Sequence, residues 1–138
     1  MKKVGFTASC FDLFHAGHVA MLAEAKTQCD YLIVGLQTDP SIDGRKRKPV
    51  QSTYERYLQL SGCRYVDKII PYDTEQDLIN LLLTVPIDIR IIGEDYRFDD
   101  FTGKGLHEIY YNKRRHLWSS TDLKQRVIDA SNQKGQTD

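Results

Sequence analysis

No run of eighteen apolar residues occurs in this 138-residue chain, so nothing in it reads as a membrane span. Cysteine is scarce: Cys10, Cys29 and Cys63 are odd in number and widely spaced. They form neither CxxC metal spacing nor a disulfide framework, which points to reduced thiols in a cytoplasmic protein. The opening MKKVGFTASCFD carries two lysines with no adequate apolar stretch behind them, so it lacks the form of a secretory signal. Net charge is absent too, with 19 basic and 19 acidic residues. That balance argues against a general nucleic-acid binder, whose footprint is usually a basic domain. There are no repeats and no interdomain linker, and the length suits one domain with a real core.

What is present is unevenly placed charge. Arg45, Lys46, Arg47 and Lys48 form one basic run, and Lys113, Arg114 and Arg115 a second, while Glu94, Asp95, Asp99 and Asp100 gather acid. Two local basic clusters in a neutral chain suit a compact polyanion, although charge runs are more often solvated surface.

Strand and helix signals alternate. KVGFTAS (3–9), DYLIVGLQ (30–37), VDKIIPY (66–72), IDIRIIG (87–93) and HEIYYN (107–112) read as strands. AGHVAMLAEAKTQC (16–29) carries a helical apolar stripe. A second helix is expected from a cap at Ser52 or Thr53 to Ser61, with Gly62 at its end. TEQDLINLLLTV (74–85) is a third, capped by Thr74, and SSTDLKQRVIDA (119–130) a fourth, capped by Ser119 or Ser120. The pattern predicts an α/β fold in a single domain: a Rossmann-like, doubly wound parallel sheet with helices on both faces over residues 1–131. Residues 132–138 are expected to form a disordered tail. Ligands in such folds sit at the carboxyl ends of the strands, where strand order reverses.

FDLFHAGH, residues 11–18, falls at that edge. If a helix starts near Ala16, His15 and His18 share its first turn with free backbone N–H groups and the positive end of the dipole, which favours an anion. Gly17 between them would let a phosphate approach without a Cβ in the way. Asp12 could cap the same helix. Cys10 reads as a small buried residue at a strand end rather than a nucleophile. The histidines stand too far from other ligand types to suggest zinc.

CFDLFHAGH resembles the signature of the HxGH nucleotidyltransferases, in the form written by the cytidylyltransferases, and is similar to the glycerol-3-phosphate type. DYLIVGLQTD, the basic loop, YERYLQLSGCRYVDKIIP and IIGEDY follow in the family's order, so the likeness covers about residues 3–130. It implies transfer of CMP from CTP to a small phosphorylated acceptor, best matched by glycerol 3-phosphate, with release of pyrophosphate. Mg²⁺ held mainly by the CTP phosphates and a homodimer are also implied, with neither nucleic acid nor membrane as partner.

Residue by residue, the resemblance sets Cys10, Phe11 and Asp12 at the nucleotide, and His15, Gly17 and His18 at its phosphates. Arg47 and Arg114 would hold the β/γ end and Arg45 the acceptor phosphate; Lys46 and Lys48 should matter less if alternate side chains of the basic run face the site. Arg64 and the segment from Gly93 to Asp95 would line the nucleotide pocket. Arg114, Ser119, Ser120 and Thr121 match the last motif, Arg-Thr-x-Gly-Ile-Ser-Thr-Thr, which reads RRHLWSST here and puts Leu117 where that motif has glycine. Asp77 falls where the glycerol-phosphate enzymes carry an acceptor lysine. SCFDLFHAGHVAMLAEA and DTEQDL also resemble the nucleotidyltransferase of ADP-heptose synthesis, so an adenylyltransferase making an ADP-linked sugar or a dinucleotide is the alternative. A non-catalytic nucleotide sensor is the reading from another class; two intact histidines speak against it.

Overall fold

VGFTAS, YLIVGLQ and IRIIG are short apolar runs with little polar alternation, the pattern of strands covered on both faces. In the computed structural model, which describes residues 2–44 and 46–137, they form the centre of the sheet. The strands are β1 (Val4–Ser9), β2 (Tyr31–Gln37), β3 (Lys68–Tyr72), β4 (Ile89–Gly93) and β5 (Glu108–Asn112). The helices are α1 (Ala16–Lys26), α2 (Thr53–Ser61), α3 (Glu75–Thr84) and α4 (Ser120–Thr137). All pairings are parallel, in the order β3-β2-β1-β4-β5. Strand order therefore reverses between β1 and β4, as the alternating pattern predicts.

Side-chain alternation along β2 splits the core. Leu32, Val34 and Leu36 point to one face and pack with Leu22 and Ala25 of α1, Leu60 of α2 and Ile91 of β4. Ile33 points the other way, where Phe6 and Tyr72 meet Leu78 and Leu82 of α3. Gly35 lies on that second face; a Cβ there would come within 2.9 Å of the Phe6 ring. Among the described residues, no helix is long and apolar enough to cross a membrane.

Three helices begin with the same reciprocal cap. Ser52 and Glu55 close it on α2, and Thr74 and Asp77 on α3. On α1 the two partners are histidines. Asp77 spends its carboxylate on the amides of Asp73 and Thr74. It lies in a shallow depression with Asn80 and Thr84, away from the switch point, so the acceptor role implied for it has no support in its position. At the chain's end α4 runs to Thr137, so the tail expected from residue 132 is helical as far as 137.

Candidate active site

The connection between β1 and α1 turns through two non-glycine residues in left-handed backbone, Phe11 (φ 53°) and Leu13 (φ 51°). Strained conformations of this kind persist only where the surroundings hold them. Here the Asp12 carboxylate accepts from the amides of Val50 and Gln51, the Leu13 amide donates to Gln51 Oε1, and Ser120 Oγ donates to the Asp12 carbonyl. Asp12 therefore ties two loops together instead of capping α1. The turn drives Phe11 into the core, 1% exposed, where its ring touches His18; it does not line a cavity as a nucleotide contact would.

His15 is the cap. Its Nδ1 accepts from the Gly17 amide at 3.0 Å, and His18 Nδ1 accepts from the His15 amide at 3.1 Å. With both Nδ1 atoms accepting, each neutral ring carries its proton on Nε2. The rings stack 3.9 Å apart, and His15 Nε2 reaches Ser120 Oγ at 3.2 Å. Gly17 is needed for a reason the sequence does not display: a Cβ there would meet the His15 ring at 2.8 Å and His116 at 3.1 Å.

Burial pushes the His18 imidazole down to about 4, helped by His15 and opposed by Asp12. Burial also lowers His15, followed by the charges of His116, Arg114 and Arg126. At neutral pH the free protein thus presents uncharged N–H donors at the start of α1. Since His18 stays neutral in the folded chain down to about pH 4, and gains a proton near 6.5 when unfolded, the unfolded state binds more protons between those limits. Stability contributed by the neutral ring is complete above about pH 6.5 and drains away as pH falls toward 4. Urea titrations of the wild type and His18→Gln at pH 7 and 5 should show a fall steeper by about 1–3 kcal/mol in the wild type. Parallel falls would mean that His18 is not held neutral by the fold.

Two cavities meet at the switch point. One, of about 420 Å³, lies on the α1 side and is lined by His15, Gly17, His18, Gly93, Asp95, Arg114, His116, Ser119 and Ser120 among others. The other, of about 300 Å³, lies on the α3 side, where Cys10, Gln37, Lys46, Glu75, Arg90 and Thr102 contribute. Met21, Gly93 and Asn112 belong to both, so the two form one groove across the carboxyl edge of the sheet.

The groove gathers most of the expected residues; besides Phe11, Asp12 and Asp77, it leaves out three more of the described ones. Arg64 is exposed over the Tyr65 ring at the amino end of β3, the far edge of the sheet. Arg47 is exposed outside both cavities, and Lys46 reaches in instead, reversing the alternation expected of the basic loop. Thr121 is exposed one residue into α4. Arg45 lies outside the described residues. Cys10 borders the α3-side cavity, with its thiol pushed up by burial. Ser119 accepts from the Asp122 amide as a helix cap. Arg114 donates to the Trp118 carbonyl at 2.7 Å. Leu117, 90% exposed, passes without left-handed backbone, so the loop needs no glycine there.

Two residues were not singled out from the sequence. Arg56 is 1% exposed, and its guanidinium donates to the carbonyls of Cys10, Gln37, Thr38 and Gln51 and to Thr53 Oγ1, joining the ends of β1 and β2 to α2. Its position four before buried Leu60 was the available signal. His116 stands beside His15 and Gly17. Among the described residues, no three His, Cys, Asp or Glu side chains cluster as a metal cage.

A parallel sheet with paired imidazoles capping the first helix at its switch point defines a nucleotidyltransferase-type domain. The family model described as cytidylyltransferase-like matches residues 6–126, and the chain belongs to that family. It is 42% identical over 113 residues to the bifunctional protein HldE of Caulobacter sp. (strain K31), covering 80% of this chain and 23% of that protein. The HldE of Campylobacter concisus is 36% identical over 134 residues, covering 95% and 28%. The chain thus spans about a quarter of the length of these relatives. In fold it is similar to the lipopolysaccharide core biosynthesis protein of Thermoplasma volcanium (TM-score 0.62, 20% identity, 95% of this chain and 90% of that one). It is similar also to Thermotoga maritima TmcAL, bound with alpha-thio ATP (TM-score 0.62, 11% identity, 95% and 51%).

Proposed function

We propose that the chain transfers a nucleotidyl group from ATP to a phosphorylated sugar, giving an ADP-linked product. The observation that carries the transfer is the paired cap: two imidazoles at the start of α1, each with Nδ1 occupied and its proton on Nε2, the His15 N–H resting on Ser120 Oγ until a phosphate takes its place. The adenylyl choice is supported by the resemblance of SCFDLFHAGHVAMLAEA and DTEQDL to the nucleotidyltransferase of ADP-heptose synthesis. The likeness to HldE proteins over four-fifths of the chain or more supports it too. The nucleotide would occupy the α1-side cavity and the acceptor the α3-side one, where Glu75, Gln37 and Thr102 offer hydroxyl partners and Arg90 a buried cation.

In the reaction, an acceptor phosphate oxygen attacks the α-phosphorus and forms a new P–O bond. The bond from that phosphorus to the bridging oxygen breaks, and its electron pair leaves with pyrophosphate. His15 and His18 donate to oxygens whose charge shifts in the transition state, while Arg114 holds the outer phosphates. Magnesium on the triphosphate would supply further charge neutralisation. The groove positions; no protein nucleophile is required.

CTP with glycerol 3-phosphate is the second reading, supported by the cytidylyltransferase-like family description and the glycerol-3-phosphate resemblance. Pyrophosphate release with Mg²⁺, ATP or CTP, and a panel of sugar phosphates and glycerol 3-phosphate separates the two. ATP-dependent release with a sugar phosphate is expected. Release only with CTP and glycerol 3-phosphate selects the second reading. Nucleotide binding without release from any pair leaves a sensor.

A further inference from the structure

We propose that His116 is a third imidazole donor to the nucleotide's phosphates, carried by this chain's own version of the final loop. The inference rests on the nucleotidyl-transfer reading of the groove. His116 Nδ1 accepts from the Trp118 amide at 3.1 Å, which leaves the ring's proton on Nε2, as in His15 and His18. All three histidines on the α1-side cavity therefore have Nδ1 occupied by a backbone N–H.

Placement supports the same role. His116 Cε1 lies 3.1 Å from where a Gly17 Cβ would stand, so the ring lies against the first turn of α1, where a phosphate would dock. The ring also stacks on Trp118, with centroids 4.8 Å apart and planes 23° apart. The Trp118 carbonyl in turn receives Arg114. Trp118 occupies the isoleucine position of the resembled motif and His116 its variable position. An aliphatic side chain there could not stack an imidazole flat, so the histidine and tryptophan form one unit.

Three variants separate donor from scaffold. His116→Gln keeps an N–H near the reach of Nε2. His116→Asn keeps an acceptor near Nδ1 for the Trp118 amide but loses the outer donor. His116→Phe keeps only the stack. Pyrophosphate release should fall about 10- to 100-fold in Asn and Phe, and stay within a few-fold of wild type in Gln, with all three melting near the wild type. Wild-type turnover in Asn or Phe, or a Gln variant as slow as Phe, would overturn the role. If the wild type turns over no nucleotide pair, the failure belongs to the transfer reading. The donor role is then judged by stabilisation of each variant by Mg·ATP, Mg·CTP and pyrophosphate. Weaker stabilisation of Asn and Phe than of wild type and Gln supports it; equal stabilisation, or none of the wild type, overturns it.

Discussion

His15→Ala and His18→Ala should each lower kcat by about 10²–10³, the usual cost of removing one preorganised donor from a developing charge. The two should differ in a second readout. His15 Nδ1 caps Gly17 and His18 Nδ1 caps His15, so each alanine also removes one half of the α1 cap, at about 0.5–2 kcal/mol. His18 is the more buried ring, stacked also against Phe14 and in contact with Phe11, so its alanine leaves a hole in the core as well. Turnover measured beside urea unfolding therefore gives similar catalytic losses with a larger stability loss at position 18. Asparagine offers a cleaner dissection: it can replace the Nδ1 acceptor, restoring the cap without restoring the outer N–H. Variants His15→Asn and His18→Asn that are stable and slow support phosphate donation. Variants that are stable and fast would reduce the pair to a capping device.

Arg56→Leu should cost about 3–5 kcal/mol, among the larger effects of any single substitution. Leucine fits the helix and the apolar surroundings, so the loss comes from the carbonyls of Cys10, Gln37, Thr38 and Gln51, which would lose their common donor. Arg56→Lys should recover only part of it, because a single ammonium cannot serve a planar fork of acceptors. Since those carbonyls follow β1 and β2 and hold the loop to which Asp12 is tied, turnover at low urea should fall as well. Urea midpoints for the three proteins test the claim. A change below about 0.5 kcal/mol for Arg56→Leu, the size of an ordinary surface substitution, would show that water replaces the guanidinium freely.

Much of this architecture is legible in the residues. The β-branched runs at Ile33–Val34 and Ile91–Ile92, the caps at Ser52 and Thr74 and the glycine after Ser61 are local signals, and they place β2, β4, α2 and α3 to within about two residues. Long-range devices are not legible in the same way. Arg56 looks like a solvated helix residue until the fold brings Cys10, 46 positions away in sequence, against it. Phe11 reads as a pocket aromatic because nothing in CFDLF announces a left-handed turn that swings the ring inward. Asp77 falls at an acceptor position by resemblance, yet in this chain its spacing from Thr74 completes a helix cap. His116 was hidden by a loop whose departure from the family drew attention to Leu117, the residue that turned out to be indifferent.

The neutral histidines separate two tasks that are easily confused. Lys113, Arg114 and Arg115 are solvent-exposed on the rim of the α1-side cavity, whereas His15 and His18 sit half-buried beneath them and uncharged. Long-range attraction of a polyanion belongs to the rim, where dissolved ions damp it over about 8 Å at physiological strength. The inner donors act only at contact distance, where such damping scarcely reaches. Ionic strength should therefore govern how often a nucleotide arrives and how firmly exposed Arg114 grips its outer phosphates, and hardly at all what the inner histidines do once it is seated.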